Sequence, residues 1–468
     1  MGFAESDRWA REPETERVGG GLGNMARTMA IWVLLALSGP AAAANWLQLQ
    51  GNEETGAAPF RLVGFVQPTY THNDGDPVNG LTGAANIRAY NGQYNVFNLV
   101  GPDIERTSQF QILRANLGAR GVVPGTGGRI NYFALAEGGH NGLTTERAPV
   151  FTDLSVTFNY IPHARIRAGL FKTPTGEEAL QAVHLMDYIY FTNATDNLLN
   201  ERFVSPYRTT RPTNVPAGLT AAQLDEPMGA FRDVGVQVYD WMRRGQWEYA
   251  YALMVGNGNG VRFNDNDSHL DVTGRLQTSY IFGGQGPKRE DVTAYLWHQS
   301  GKRTFAGTAY DRIREGGGLK YLRGPFRVGG EYLRGRGMIF NGPNPPFNDL
   351  GGSAMEPVMT VGLDSRNRAD GWSMDFGWRF LPKWEADFRY DRFNRTTNLA
   401  SEERRFSTQT YGVQHFFSPR LRLAFNVEVR DVRVTHPEAI TAGPLRSNAE
   451  AIANSVGNRV AAQLTWVF

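Results

Sequence analysis

The sequence predicts an all-β fold: a transmembrane antiparallel β-barrel of about 16 strands with a long inward-folded third loop. Three observations predict it. From residue 60 to the carboxyl terminus, short segments alternate apolar and polar side chains, the period-two signature of strands with unlike faces. Tight turns interleave with long polar loops, as in a barrel whose strands are joined differently at its two ends. The last strand ends on aromatic residues, Trp466 and Phe468.

The clearest unit is Phe151 to Lys172. Val150, Thr152, Leu154, Val156, Phe158 and Tyr160 alternate with Phe151, Asp153, Ser155, Thr157 and Asn159, so the first set is expected on one face. Ile161-Pro162-His163-Ala164 is a tight turn, where a proline without an N–H costs the ladder nothing. On the return strand Ile166, Ala168 and Leu170 continue the apolar face, and Arg165, Arg167 and Gly169 the other. Such a pair suits lipid outside and water inside.

The chain's 468 residues are 41% hydrophobic, and its mean hydropathy of −0.40 excludes a helical membrane protein. The only long apolar run, Ala30 to Leu37, is too short to span a bilayer. With Arg27 before it and Ala42-x-Ala44 after it, it reads as a secretory signal peptide starting at Met25 and cut before Asn45. The expected organisation is an extension and signal peptide over 1–44, a short segment over 45–59, and the barrel over 60–468, in the outer membrane of a Gram-negative bacterium. An exported chain without cysteine needs another restraint, which a closed hydrogen-bonded ladder supplies. A net charge of +2 argues against nucleic acid. The basic residues are nearly all arginine, with lysine only at 172, 288, 302, 320 and 383.

Strands are expected in order at 60–70, 108–120, 129–137, 151–160 and 165–172. On the second, Leu113, Ala115, Leu117 and Ala119 are assigned to lipid, and Arg114, Asn116 and Arg120 to the lumen. After a very long connection come strands at 231–241, 247–255, 271–281, 291–299, 312–322 and 326–336. The late repeats are regular. Trp372, Met374, Phe376, Trp378 and Phe380 oppose Ser373, Asp375, Gly377 and Arg379; Trp384, Ala386, Phe388 and Tyr390 oppose Glu385, Asp387, Arg389 and Asp391. Strands at 406–417, 421–430 and 458–468 complete the set. Long loops are expected near 71–107, 138–149, 173–230, 256–270, 300–311, 337–370, 394–404 and 432–456.

The segment Arg167-Ala-Gly-Leu-Phe-Lys-Thr-Pro-Thr-Gly-Glu-Glu178, with Phe231 to Gln237 and Tyr251 to Gly260, resembles the phosphate-selective porin O and P family over roughly residues 60–468. Ala462, Leu464, Trp466 and Phe468 on one face look like the terminal signal read by the barrel-assembly machinery. The resemblance implies a homotrimer among outer-membrane lipid and lipopolysaccharide, with an anion-attracting lumen narrowed by the third loop. Members of that family rely partly on constriction lysines, and only Lys172 is a match here.

Arg114, Arg120, Arg129, Arg165, Arg167 and Arg275 fall on the polar parity of their strands, as do Arg327, Arg379, Arg389, Arg422 and Arg430. A charge facing lipid near the midplane costs about 2–4 kcal/mol, which enforces that parity. Together with Lys172 these guanidiniums form a candidate pathway for phosphate or other small anions. The alternative is that they pair with lumenal Asp153, Asp233, Glu331, Asp375, Glu385, Asp387, Asp391 and Glu428 and brace the wall, giving a general diffusion channel. Residues 173–230 are read as the constriction loop, with a short helix at Glu177 to Leu185 and Pro- and Thr-rich coil from Thr209 to Pro227; an external loop is the other possibility. Asn257 to Asp271 lacks the glutamate that a calcium loop needs, and no histidines stand at i, i+4. No metal, cofactor or catalytic group is expected; a barrel enzyme would need a catalytic cluster at one rim.

Overall fold

The structure, a computed structural model, describes residues 45–83, 88, 91–92, 108–141, 149–201, 231–342 and 360–468, apart from positions 55, 266, 285, 287–288, 306–307 and 363. The expected signal peptide and the coil at Thr209 to Pro227 lie outside the described residues.

Sixteen strands close into one barrel. They are β1 (Arg61–Asn73), β2 (Ser108–Val122), β3 (Ile130–Gly138), β4 (Val150–Ile161), β5 (Ala164–Lys172), β6 (Arg232–Arg244), β7 (Trp247–Gly256), β8 (Asp271–Gly283), β9 (Glu290–Phe305), β10 (Thr308–Arg323) and β11 (Phe326–Gly337). After a separate two-stranded sheet, β12 (Ile339–Gly342) with β13 (Thr360–Gly362), come β14 (Arg368–Leu381), β15 (Trp384–Arg395), β16 (Arg404–Ser418), β17 (Leu421–Val434) and β18 (Arg459–Val467). Each barrel strand pairs antiparallel with its sequence neighbour, β11 passes to β14, and β1 pairs with β18 to close the ring. Closure matters because an open edge would leave backbone groups without partners in lipid. All sixteen strands expected from the sequence coincide with these.

Alternation fixes which way each strand faces. On β7 Glu248, Ala250, Ala252 and Met254 are buried, while Trp247, Tyr249, Leu253 and Val255 are exposed. On β15 Glu385, Asp387, Arg389 and Asp391 are buried against exposed Trp384 and Phe388. The exposed apolar set is a lipid-facing band, and the buried polar set faces the interior. At the short-turn end aromatic rings meet edge to face, Trp247 on Tyr280 at 5.1 Å and Tyr280 on Phe282 at 5.5 Å, in the manner of an interfacial girdle.

Two bulges break the expected parity. Pro68 on β1 cannot donate to β2, and the register shifts there: Gln67 pairs with Arg114 and Pro68 with Ile112. Leu113 is the extra residue. Assigned to lipid from the sequence, it turns inward and is fully buried with Ile189 and Tyr190, while Phe110 and Ile112 face out. On β4 the bulge is Thr152, between Asp153, which pairs with Leu135, and Phe151, which pairs with Ala136. Thr152 is buried and Phe151 exposed, the reverse of strict alternation. A third correction concerns the loop expected at 300–311. β9 and β10 run through it, with Phe305 paired to Thr308.

Candidate functional site

Strands about 4.8 Å apart and tilted about 40° give a sixteen-stranded ring roughly 30 Å across. Its interior is filled partly by the segment that leaves β5. Residues 173–201 hold the short helix Glu177–Leu180, a turn at Val183–Leu185, a turn of helix at Asn193–Thr195 and a wide helical turn at Asp196–Asn200. The helix is shorter than the Glu177 to Leu185 expected, because Gln181 and Ala182 are extended. Thr192 caps the next turn with its own hydroxyl, which accepts from Thr195 N at 3.3 Å.

This segment is tied to buried side chains on distant strands. Ile189 N donates to Asn426 Oδ1 on β17 at 2.9 Å. Asn193 donates to Asp391 on β15 from its backbone at 3.0 Å and its side chain at 2.6 Å, and to Thr408 on β16 at 2.9 Å. Its carboxylates meet arginines of the wall: Glu177 with Arg275 at 2.8 Å, Glu178 with Arg389 at 3.1 Å, and Asp187 with Arg327 at 3.3 Å. Glu201 is held by Arg312 at 3.0 Å and Arg314 at 2.7 Å, and Lys320 also binds Glu177.

The other cations named from the sequence are engaged as well. Arg165 pairs with Asp240 and stacks over Trp241 at 3.9 Å. Arg167 donates to Ser155 at 3.0 Å and lies 3.7 Å from Asp153. The Lys172 ammonium donates to the carbonyls of Gln181 at 2.6 Å, Ala179 at 2.8 Å and Leu180 at 3.4 Å, clamping the base of the segment. Arg120 binds Glu53. Arg114 donates to Gln67 at 3.2 Å, and Arg430 to Gly457 O at 2.8 Å. Arg422 donates to Gln414 at 3.0 Å and His184 O at 3.2 Å. Arg327 is ringed by Asp187, Asp375, Glu385 and Asp387, and Arg379 meets Glu385 at 2.8 Å. Arg129 differs: it precedes β3, is exposed, and lies 5.6 Å from the ring of outward-facing Tyr160.

Between the segment and β10, β11 and β14 lies a cavity of about 120 Å³. Glu177, Glu178, Asp187, Glu331 and Asp375 line it with Lys320, Arg327 and Arg389, beside Trp46, Tyr188 and Tyr295. Among groups off the spanning strands, burial pushes the Asp187 carboxyl up to about 6 against the opposing pull of Arg327. Burial, helped by Arg422 and Lys172, lowers His184 to about 4. Among the described residues no group of three or more His, Asp or Glu side chains could hold a metal ion.

No protein-family model matches the chain, and no curated protein matches it. Among solved structures it is similar to OmpF of Salmonella typhi in complex with daunomycin: TM-score 0.50, 12% identity, covering 87% of this chain and 97% of that one. The chain has the porin fold. Other similar structures are an anion-selective porin from Comamonas acidovorans (TM-score 0.49, 13% identity, covering 88% of this chain and 100% of that one) and the outer membrane channel DcaP of Acinetobacter baumannii (0.46, 11%, covering 89% and 99%). On this porin fold, the sequence reading missed Arg312, Arg314 and Lys320. The first two stand on one parity of β10, a visible signal; their partner Glu201 is 111 residues from Arg312 and gives none.

Proposed function

We propose that this chain is an outer-membrane porin, a passive channel for small hydrophilic solutes, with residues 173–201 acting as the constriction loop. The observation that carries the reading is Asn193 on Asp391 and Thr408, which ties a segment leaving β5 to the buried parity of the far wall.

Two charge preferences compete. A phosphate- or anion-preferring channel, the finer reading from the porin O and P resemblance, needs cations in the lumen whose charge is not cancelled. The alternative, general diffusion, needs paired ones. Pairing of the arginines with Glu177, Glu178, Asp187 and Glu201 favours general diffusion, because acids on the segment offset the wall. A homotrimer in the outer membrane, inserted through a terminal signal at Trp466 and Phe468, completes the proposal; cross-linking and heat-modifiability on gels test those two parts. Current through reconstituted protein in a planar bilayer tests the channel, and the zero-current potential in a salt gradient tests the preference. A reversal close to zero is the general-diffusion outcome, and a strongly anionic one restores the first reading.

A further inference from the structure

Asn45 to Glu54 do more than lead into β1. The helix Trp46–Leu49 packs Trp46 and Leu47, each 4% exposed, with Leu180 against Tyr239, Ala250 and Ala252. Ala250 and Ala252 share parity with buried Glu248 on β7, opposite lipid-facing Tyr249 and Leu253, so this contact is on the inner face. Asn45 Nδ2 donates to Glu248 Oε1 at 2.9 Å, a few residues from the short turn between β6 and β7. Gln50 donates to the Leu180 carbonyl, one of the three that hold Lys172. Arg120 donates to Asn52 O at 2.8 Å and Leu49 O at 3.3 Å and pairs with Glu53. Gly51, at φ +71, passes so close to Arg167 that a Cβ would stand 2.8 Å from its guanidinium. The segment therefore sits inside the short-turn mouth of the barrel, bound at both its ends and its middle. Trp46 also lines the cavity bounded by Glu177, Gln181 and Tyr188.

We propose that residues 45–54 form a second constriction and that Trp46 is a size-limiting side chain of the conduit, setting the largest solute that passes. This rests on the channel reading above. An indole is the largest side chain available, and wedged beside the Glu177–Gln181 stretch it takes cross-section that a smaller residue would leave to water. Trp46 itself is uncharged and lies on the short-turn side, so its removal changes girth while the charged groups around it stay in place.

The test uses the full chain reconstituted in bilayers and in liposomes. Trp46→Ala should raise single-channel conductance and let larger neutral sugars enter liposomes, with the zero-current potential unchanged. Because the chain has no cysteine, Trp46→Cys can be labelled with a bulky methanethiosulfonate reagent, which should then reduce the current. If Trp46→Ala fails to fold, the labelling experiment alone decides. Wild-type current with no change in either variant overturns the second constriction and leaves the channel standing. A folded wild-type barrel that passes no current overturns the channel, and this inference with it.

Discussion

Asn193 holds Asp391 with two hydrogen bonds, 3.0 Å from its backbone and 2.6 Å from its side chain. The segment carrying Asn193 leaves the wall at β5, and Asp391 stands on β15. In the ring of sixteen, β5 and β15 are eight strands apart in either direction. The twenty steps from Thr173 to Asn193 reach at most about 70 Å extended, ample for a lumen roughly 30 Å wide. A hydrogen bond to a charged group contributes about 1.5–3 kcal/mol. Asp391→Ala is therefore expected to loosen the segment by an amount of that order, giving larger and noisier single-channel currents while the barrel stays heat-modifiable. Conductance histograms of wild type and variant check it.

The Arg165–Asp240 pair yields a prediction about selectivity. Arg165→Ala alone should shift the zero-current potential toward cations, since it leaves Asp240 uncompensated. Asp240→Ala added to it should restore the wild-type potential, because a neutral pair has been removed. The single-variant shift should shrink at 1 M salt, where the Debye length is about 3 Å. An unrestored potential in the double variant would mean that Arg165 acts on ions directly.

Sequence parity made the barrel legible, because lipid on one side and water on the other force opposite chemistry onto alternate residues of strands such as β15 and β17. Its exceptions were not legible. Nothing local marks Leu113 or Thr152 as a bulge, since each is set by pairing with another strand. Partners were harder still. Asp240 faces Arg165 only once β6 lies beside β5, a juxtaposition 75 residues apart in sequence, and Glu177 finds Lys320 across the barrel. Parity could name wall acids such as Asp375 and Glu385 as candidate partners for the arginines, but not the acids that residues 177–201 bring to Arg275, Arg327 and Arg389.

Asp187 is expected to make the lumen pH-sensitive. Its carboxyl is raised to about 6, so it is charged at pH 7 and loses its charge as pH falls through that value. His184, lowered to about 4, stays neutral over the same interval and adds nothing. Going from pH 7 to pH 5 should thus shift the zero-current potential toward anions. Asp187→Asn should start from a more anionic potential at pH 7 and show a smaller step. An identical titration in that variant would assign the step to another group.

At the seam, Phe468 N donates to Gly64 O at 3.0 Å and accepts from Gly64 N through its carbonyl at 3.2 Å. A Cβ on Gly64 would fall 2.5 Å from the Phe468 ring. Deleting Phe468 and replacing Gly64 by valine should both reduce the heat-modifiable, membrane-inserted fraction. Gel-shift assays of outer-membrane fractions measure it; full insertion of both variants would remove Phe468 from assembly.

We propose that residues 25–44 are a signal peptide cut after Ala44, with intact-mass spectrometry of membrane-extracted protein giving a chain that begins at Asn45. A retained Met25 or Met1 would contradict it.

The most direct measurement is the current through single molecules of the purified, folded barrel in a planar bilayer. A closed sixteen-stranded ring crossed by residues 173–201 predicts stepwise, ohmic increments of uniform size, with a zero-current potential near zero in a potassium chloride gradient. A folded, inserted barrel that gives no steps at any voltage would contradict the account.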